Sequence, residues 1–170
     1  MIRPRTAAVG AAVLTVAATL AGCGSPGGTD RLSARLATGE GPARISVSDP
    51  YIPLPAAPSM AAGYLTLSNA GGTADRLVKV ASPDARTVTM HRSTAGSMEP
   101  LKDLEVPAHG TAAFSRGGNH LMITGLDRRP AVGDTVELEL TFAGSGTIAV
   151  RVPIKPLTYR PPGAGTASGS

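Results

Sequence analysis

The chain has 170 residues, of which 42% are hydrophobic, and a formal net charge of +4. This length suits one domain with tails, and the lack of tryptophan, of a basic cluster and of an aromatic stacking platform indicates no nucleic acid partner. A single cysteine excludes a disulfide within the chain, so the hydrophobic core alone must hold the domain together.

Residues 1–22 have the pattern of a secretory signal. Arg3 and Arg5 precede an uncharged apolar run over residues 7–20, which is too short for a comfortable membrane span. The run ends in the string LAGC, which resembles a bacterial lipobox and closes on Cys23. We therefore expect lipidation of Cys23 and a chain anchored on the extracytoplasmic side of the cell membrane. The alternative is an ordinary signal peptide that is cleaved before Cys23, with Cys23 left unmodified.

Composition divides the rest of the chain into three parts. Residues 23–42 are rich in small and polar residues and predict a flexible tether. Residues 160–170 contain little apolar surface to bury and predict a disordered tail. The folded domain is expected between them, over residues 43–159.

About eight short apolar stretches alternate with turn clusters across the domain, and no pattern of a long helix is present. This arrangement predicts an all-β fold, a Greek-key sandwich or barrel. Pro53, Pro55 and Pro58 predict irregular backbone in the early part of the domain. The predicted strands cover residues 44–48, 63–69, 76–82, 86–92, 111–115, 120–124, 135–142 and 147–154.

Two histidines and two methionines are candidate metal ligands. His120 and Met122 alternate in a strand and therefore share a face. His91 and Met98 supply a second pair if the polar segment between them reverses the chain. Two imidazoles and two thioethers form a soft, neutral set that suits Cu(I). A full shell of four ligands leaves no open position, so it suits storage or delivery of one ion rather than turnover.

Other metal classes fit less well. Zinc sites use Cys, His and carboxylates, and blue-copper sites require a thiolate, whereas Cys23 lies at the predicted anchor. Met90 alternates with His91 and is expected in the core, and Met60 is not assigned to the site. Spacing alone leaves open a metal-free structural or adhesive β-sandwich lipoprotein and a copper redox protein. No catalytic triad order, carboxylate pair or phosphate loop is evident, so an enzyme is not expected.

The chain resembles the PCuAC copper chaperones over residues 44–155. That family's pattern is a histidine, ten residues, a methionine, twenty-one residues and then His-x-Met. Met98, His120 and Met122 match its last three positions with the full second gap. The flanking text is also similar, at AGYLTLSN (62–69), LEVPA (104–108), GGNHLMITGL (117–126), GDTV (133–136) and LTF (140–142).

The resemblance implies a cupredoxin-like β-fold that binds one Cu(I) through His91, Met98, His120 and Met122. It also implies delivery to the copper centre of cytochrome c oxidase, either to subunit II or through a thiol-bearing assembly factor. We expect a monomer, with Arg92 and Arg116 flanking the metal. One departure is present, because six residues separate His91 from Met98 instead of ten. The simplest account is a shortened hairpin tip, which predicts an altered affinity or coordination number.

Overall fold

The computed structural model describes residues 41–57 and 59–162. The predicted signal peptide, Cys23, most of the predicted tether and residues 163–170 lie outside this range. Among the described residues, no helix is long and apolar enough to cross a membrane. Within the two described ranges, ten strands form the fold: β1 Ile45–Pro53, β2 Met60–Asn69, β3 Asp75–Ala81, β4 Ala85–Ser93, β5 Met98–Pro100, β6 Leu104–Val106, β7 Thr111–Phe114, β8 Asn119–Leu126, β9 Thr135–Phe142 and β10 Gly146–Lys155.

The strands form one curled sheet in the order β5-β4-β8-β2-β1-β10-β9-β3-β6. The first half of β2 pairs with β8 and its second half pairs with β7, so β2 joins two parts of the sheet. Neighbouring strands run antiparallel, except that the first and last strands, β1 and β10, pair in parallel with Ile52 opposite Ile154. The all-β prediction is confirmed.

The core follows from alternating side chains. In β9, Val136, Leu138, Leu140 and Phe142 are buried while the residues between them face outward. The same alternation buries Leu121 and Ile123 in β8 and Val88 and Met90 in β4. Each large apolar side chain removed from water contributes about 1.5–3 kcal/mol, so these inner faces hold the sheet in its curl. The outer faces of β4 and β8 do not take part in this core.

The structure differs from the predicted elements in two places. Strands β5 and β6 were not predicted, because each has three residues and too short a pattern to recognise. Strand β1 continues to Pro53, beyond the predicted end at residue 48, and the irregular backbone expected from the prolines follows it at residues 54–56. A register shift between Ser48 and Tyr51 adds a second irregularity within the strand.

Buried polar groups fasten the C-terminal end of β2 to its surroundings. Asn69 accepts hydrogen bonds from the backbone of Arg44 and Gly71 and donates to the carbonyls of Thr73 and Val106. Gly71 lies so close to Pro42 that a side chain at this position would collide with the Pro42 backbone. Gly72 also donates to the Gly41 carbonyl at 3.0 Å, so residues 41 and 42 lie against this turn.

Asp75, 5% exposed, anchors the β9–β10 hairpin from β3. Its carboxylate accepts hydrogen bonds from the backbone N–H groups of Arg76, Gly144 and Ser145 at 2.7, 2.9 and 2.8 Å. Burial by itself would raise the pKa of Asp75, but hydrogen bonds from Ser145, Arg76 and Gly144 outweigh it, and the pKa lies below its ordinary value. The ionised carboxylate therefore stabilises the fold.

Candidate metal centre

The register of β4 and β8 brings the two predicted histidine ligands side by side. His91 lies directly opposite His120 in this antiparallel pair, so both side chains project from the same face. Their rings are stacked, with centroids 5.9 Å apart and planes inclined by 22°. The sheet thus pairs two imidazoles that are distant in the sequence.

Met122 and Met98 lie on the same outer face as the histidines. Met122 is two residues beyond His120 in β8 and lies opposite Thr89, which alternates with His91. Met98 begins β5 and lies opposite Ser93, which also alternates with His91. All four predicted ligands therefore share one face, with Met98 on the edge strand of the sheet.

The short segment between His91 and Met98 forms a tight turn. The Thr94 amide donates to the Ser97 carbonyl at 2.9 Å, and the two hydroxyls are 2.9 Å apart. The Ser93 amide also donates to the Gly118 carbonyl at 3.2 Å, which joins the start of the turn to the loop before β8. This turn is the chain reversal that the polar segment predicts, and it takes only the residues from Thr94 to Ser97.

An open cleft of about 770 Å³ lies over this face. Three of the predicted ligands, Met98, His120 and Met122, line it. His91 does not line the cleft and adjoins it through its stacking on His120. The remaining wall is largely apolar and includes Pro53, Leu54, Met60, Tyr64, Arg116 and Leu157.

Hydrogen bonds leave one nitrogen of each imidazole without a protein partner among the described residues. Nδ1 of His120 lies 3.2 Å from the Gly118 carbonyl, so Nδ1–H donates and Nε2 keeps its lone pair. Nε2 of His91 bonds the Thr89 hydroxyl at 2.9 Å. In the described part of the chain, Nδ1 of His91 is buried with no hydrogen-bond partner. A buried polar atom left in this condition is unusual and fits a missing ligand.

The other buried atom in that condition within residues 41–57 and 59–162 is the hydroxyl oxygen of Ser145. It lies beside the Asp75 carboxylate, and a hydroxyl can rotate its proton toward such an acceptor. An imidazole nitrogen has no such freedom. The unpartnered nitrogen of His91 is therefore the more informative of the two.

Exposure separates the methionines by role. Met90 is 7% exposed and packs in the core, as its alternation with His91 predicts, whereas Met98 is 52% exposed. A large apolar side chain half open to water on a three-residue edge strand adds little to the core. Its thioether is available to a soft metal instead.

The rim of the cleft carries positive charge. Arg116 lines it and lies 5.8 Å from the centroid of the Tyr64 ring, and it donates to the Leu157 carbonyl at 3.1 Å. Burial raises the pKa of Tyr64, with Arg116 acting in the opposite direction and Tyr51 adding to the rise. Arg92, which was also expected to flank the metal, does not line the cleft: it is next to His91 in β4 and so lies on the other face, where its side chain bonds Asn119 at 3.2 Å. The residues described include no group of three or more His, Cys, Asp or Glu side chains that would hold a metal.

Sequence reasoning did not assign Met60 to the site. The side chain of Met60 is 56% exposed and lines the same cleft as Met98, His120 and Met122. A signal was present, because Met60 alternates with Ala62 at the start of a strand. The sequence does not reveal the strand register that sets Ala62 opposite Met122, and this register is what brings Met60 to the cleft.

Comparison with known proteins agrees with this architecture. The LpqE-like family model, whose description refers to a lipoprotein, matches residues 45–154. The chain belongs to the LpqE-like family. No curated protein matches the sequence.

Solved structures of PCuAC domains share the fold of this LpqE-like chain. The Cu(I) form of DR1885 from Deinococcus radiodurans is 28% identical, with a TM-score of 0.53 over 67% of this chain and 78% of that one. The copper-bound PCuAC domain of PmoF2 is 22% identical, with a TM-score of 0.59 over 68% and 95%. The apo PCuAC domain of PmoF1 is 21% identical, with a TM-score of 0.60 over 68% and 96%. The resemblance to PCuAC proteins and the cupredoxin-like fold expected from it are confirmed.

Proposed function

We propose that this LpqE-like protein is a lipid-anchored, extracytoplasmic copper chaperone that carries one Cu(I) as cargo. The observation that carries the proposal is the cross-strand pair of His91 and His120, whose outer face also bears Met98 and Met122. The similarity to DR1885, solved with Cu(I), supports the same cargo. Lipidation at Cys23 would hold the carrier at the membrane surface.

The donor set selects the ion by its softness. Two thioether sulfurs and two imidazole nitrogens are neutral and polarisable, and such ligands favour Cu(I) over hard divalent cations. The Thr89 hydroxyl and the Gly118 carbonyl fix the orientation of the two rings, as partners of metal-bound histidines commonly do. The protein therefore offers two imidazole nitrogens that are already oriented for a metal, with a methionine on each side of the histidine pair.

Release follows from the position of Met98. Because β5 is the last strand at its edge of the sheet and Met98 is half exposed, an approaching acceptor reaches this ligand without disturbing the core. A thiolate of the acceptor binds Cu(I) more strongly than a thioether, so ligand exchange at this edge runs toward the acceptor. We propose a thiol-bearing assembly factor or subunit II of cytochrome c oxidase as acceptor, with the chaperone acting as a monomer.

A Cu(I) competition titration against a coloured chelator under anaerobic conditions tests the cargo. The wild-type protein should withdraw one equivalent of Cu(I), and the double variant His120→Ala/Met122→Leu should lose at least about 100-fold in affinity, beyond the 10–100-fold typical of outer-shell partners. Met90→Leu is the matched control, since Met90 points into the core. A wild-type protein that leaves the chelator loaded would refute the proposal.

A transfer assay tests delivery separately. Cu(I)-loaded protein mixed with an apo acceptor that carries a thiol site should lose its copper to that acceptor, and the acceptor with its cysteines replaced by serine should take up none. Retention of the ion by the carrier in both mixtures would mean that it stores copper and does not deliver it.

A further inference from the structure

The cleft contains one more thioether than the predicted ligand set uses. Met60 and Met98 are both more than half exposed, at 56% and 52%, and both line the cleft together with His120 and Met122. Large apolar side chains usually avoid such exposure, and here two of one kind border a single space. Thioethers are also soft metal donors, which gives this exposure a chemical use.

The strand register places Met60 close to Met122. Met60 and Met122 lie on neighbouring strands, with Ala62 directly opposite Met122 and Met60 two residues before Ala62. Such diagonal neighbours on one face lie about 7–8 Å apart, within reach of long side chains. Met98 lies on the far side of β4, so it is two strands away from β8. Met122 therefore has an exposed thioether on each side.

The short hairpin makes this second thioether useful. The tight turn from Thr94 to Ser97 ties Met98 into register with Ser93, which limits how far its sulfur can follow an ion toward Met122. Met60 approaches from the opposite side and is not subject to that limit.

We infer that Met60 is a further thioether ligand for Cu(I), and that it exchanges with Met98 for the same coordination position. The inference rests on the proposed function. In the exchange, one copper–sulfur bond forms as another breaks, and neither the copper nor the sulfur changes oxidation state. An acceptor that displaces Met98 from the ion at the edge strand would then meet an ion still held by His91, His120, Met122 and Met60, so the ion is not set free in the cleft.

Three leucine variants of the full chain test the exchange: Met60→Leu, Met98→Leu and the double variant. Leucine keeps the apolar volume and removes the sulfur. X-ray absorption at the copper edge counts the sulfur ligands of the Cu(I)-loaded protein. Two sulfurs are expected in wild type and in both single variants, and one in the double variant. Affinities should be non-additive, with the double variant at least about tenfold weaker than the product of the single losses, because each methionine substitutes for the other.

A fall to one sulfur in Met98→Leu, or additive affinity losses, would overturn the inference. Met90→Leu should match wild type in both measurements, and thermal unfolding should show that the exposed Met60→Leu variant is folded. Methyl-labelled methionine gives an independent readout, since adding Cu(I) should shift the methyl signal of Met60 and leave that of Met90 in place. Wild type that binds no Cu(I) would refute the proposed function, whereas a bound ion with an unmoved Met60 signal would refute this inference alone.

Discussion

The surroundings of the two ends of β2 differ in whether their polar and donor groups have partners within the fold. At its C-terminal end, Asn69 uses both its amide oxygen and its amide nitrogen in hydrogen bonds, and the neighbouring Asp75 carboxylate accepts three backbone N–H groups. At its N-terminal end, β2 borders a cleft where Met60 and Met98 are exposed and His91 keeps a buried nitrogen without a partner among the described residues. At the C-terminal end, folding alone supplies the hydrogen-bond partners of Asn69 and Asp75. At the N-terminal end, donor atoms remain without partners among the described residues, as the proposed binding of a small ion requires.

His91→Ala gives the largest expected effect at the N-terminal end. Removal of an imidazole ligand should weaken Cu(I) binding by about 100-fold or more, above the 10–100-fold typical of outer-shell partners. The side chain lies outside the core, so the free energy of unfolding should change by about 0.5 kcal/mol or less. Chelator competition and urea unfolding of the same preparation measure the two quantities. Unchanged affinity would show that His91 is not a ligand of the metal.

Asp75→Ala is the converse change at the C-terminal end. It leaves three backbone N–H groups without their acceptor, and we expect a loss of about 1–3 kcal/mol in the free energy of unfolding. The Cu(I) affinity of the folded protein should match wild type. Glu139→Ala removes an exposed carboxylate from β9 and serves as control. A variant that loses Cu(I) binding while folded would break the distinction between the two ends.

Acid should destabilise the protein through the C-terminal end. The folded-state pKa of Asp75 is lowered, so its contribution is present at neutral pH and is lost as the pH falls below about 4, the unfolded value, through the folded pKa. Urea unfolding at a series of pH values measures this slope. Asp75→Asn cannot titrate and should show a shallower acid decline than wild type. Equal slopes would place the acid sensitivity elsewhere.

Thr89→Val gives the smallest expected effect. The variant removes the hydroxyl that bonds Nε2 of His91, and outer-shell partners of metal-bound histidines contribute about tenfold or more to affinity. We expect Cu(I) binding about tenfold weaker, with stability within about 0.5 kcal/mol of wild type because Thr89 is exposed. Thr87→Val, on the same strand and also exposed, controls for the loss of a hydroxyl. Identical affinities in the two variants would show that Thr89 does not position His91.

The sequence predicted the long strands and the core because their alternation extends over enough residues to be read. Strand β9 and the buried position of Met90 are examples. It also predicted that His120 and Met122 share a face, since this follows from their spacing. Strand β5 and the position of Met60 in the cleft escaped prediction, because they depend on register between strands, which is set by long-range packing rather than by local sequence.

The parallel pairing of β1 with β10 has a consequence for how the chain reaches its native state. The first and last strands are neighbours, so the sheet cannot close until the end of the domain has been made and released. Contacts between such distant segments slow folding, because the entropy of closing a long loop is lost before the contact forms. The strands that carry the proposed ligands, β2, β4, β5 and β8, all precede β9 and β10 in the chain. A growing chain therefore has every proposed metal ligand before it has the strands that finish the core.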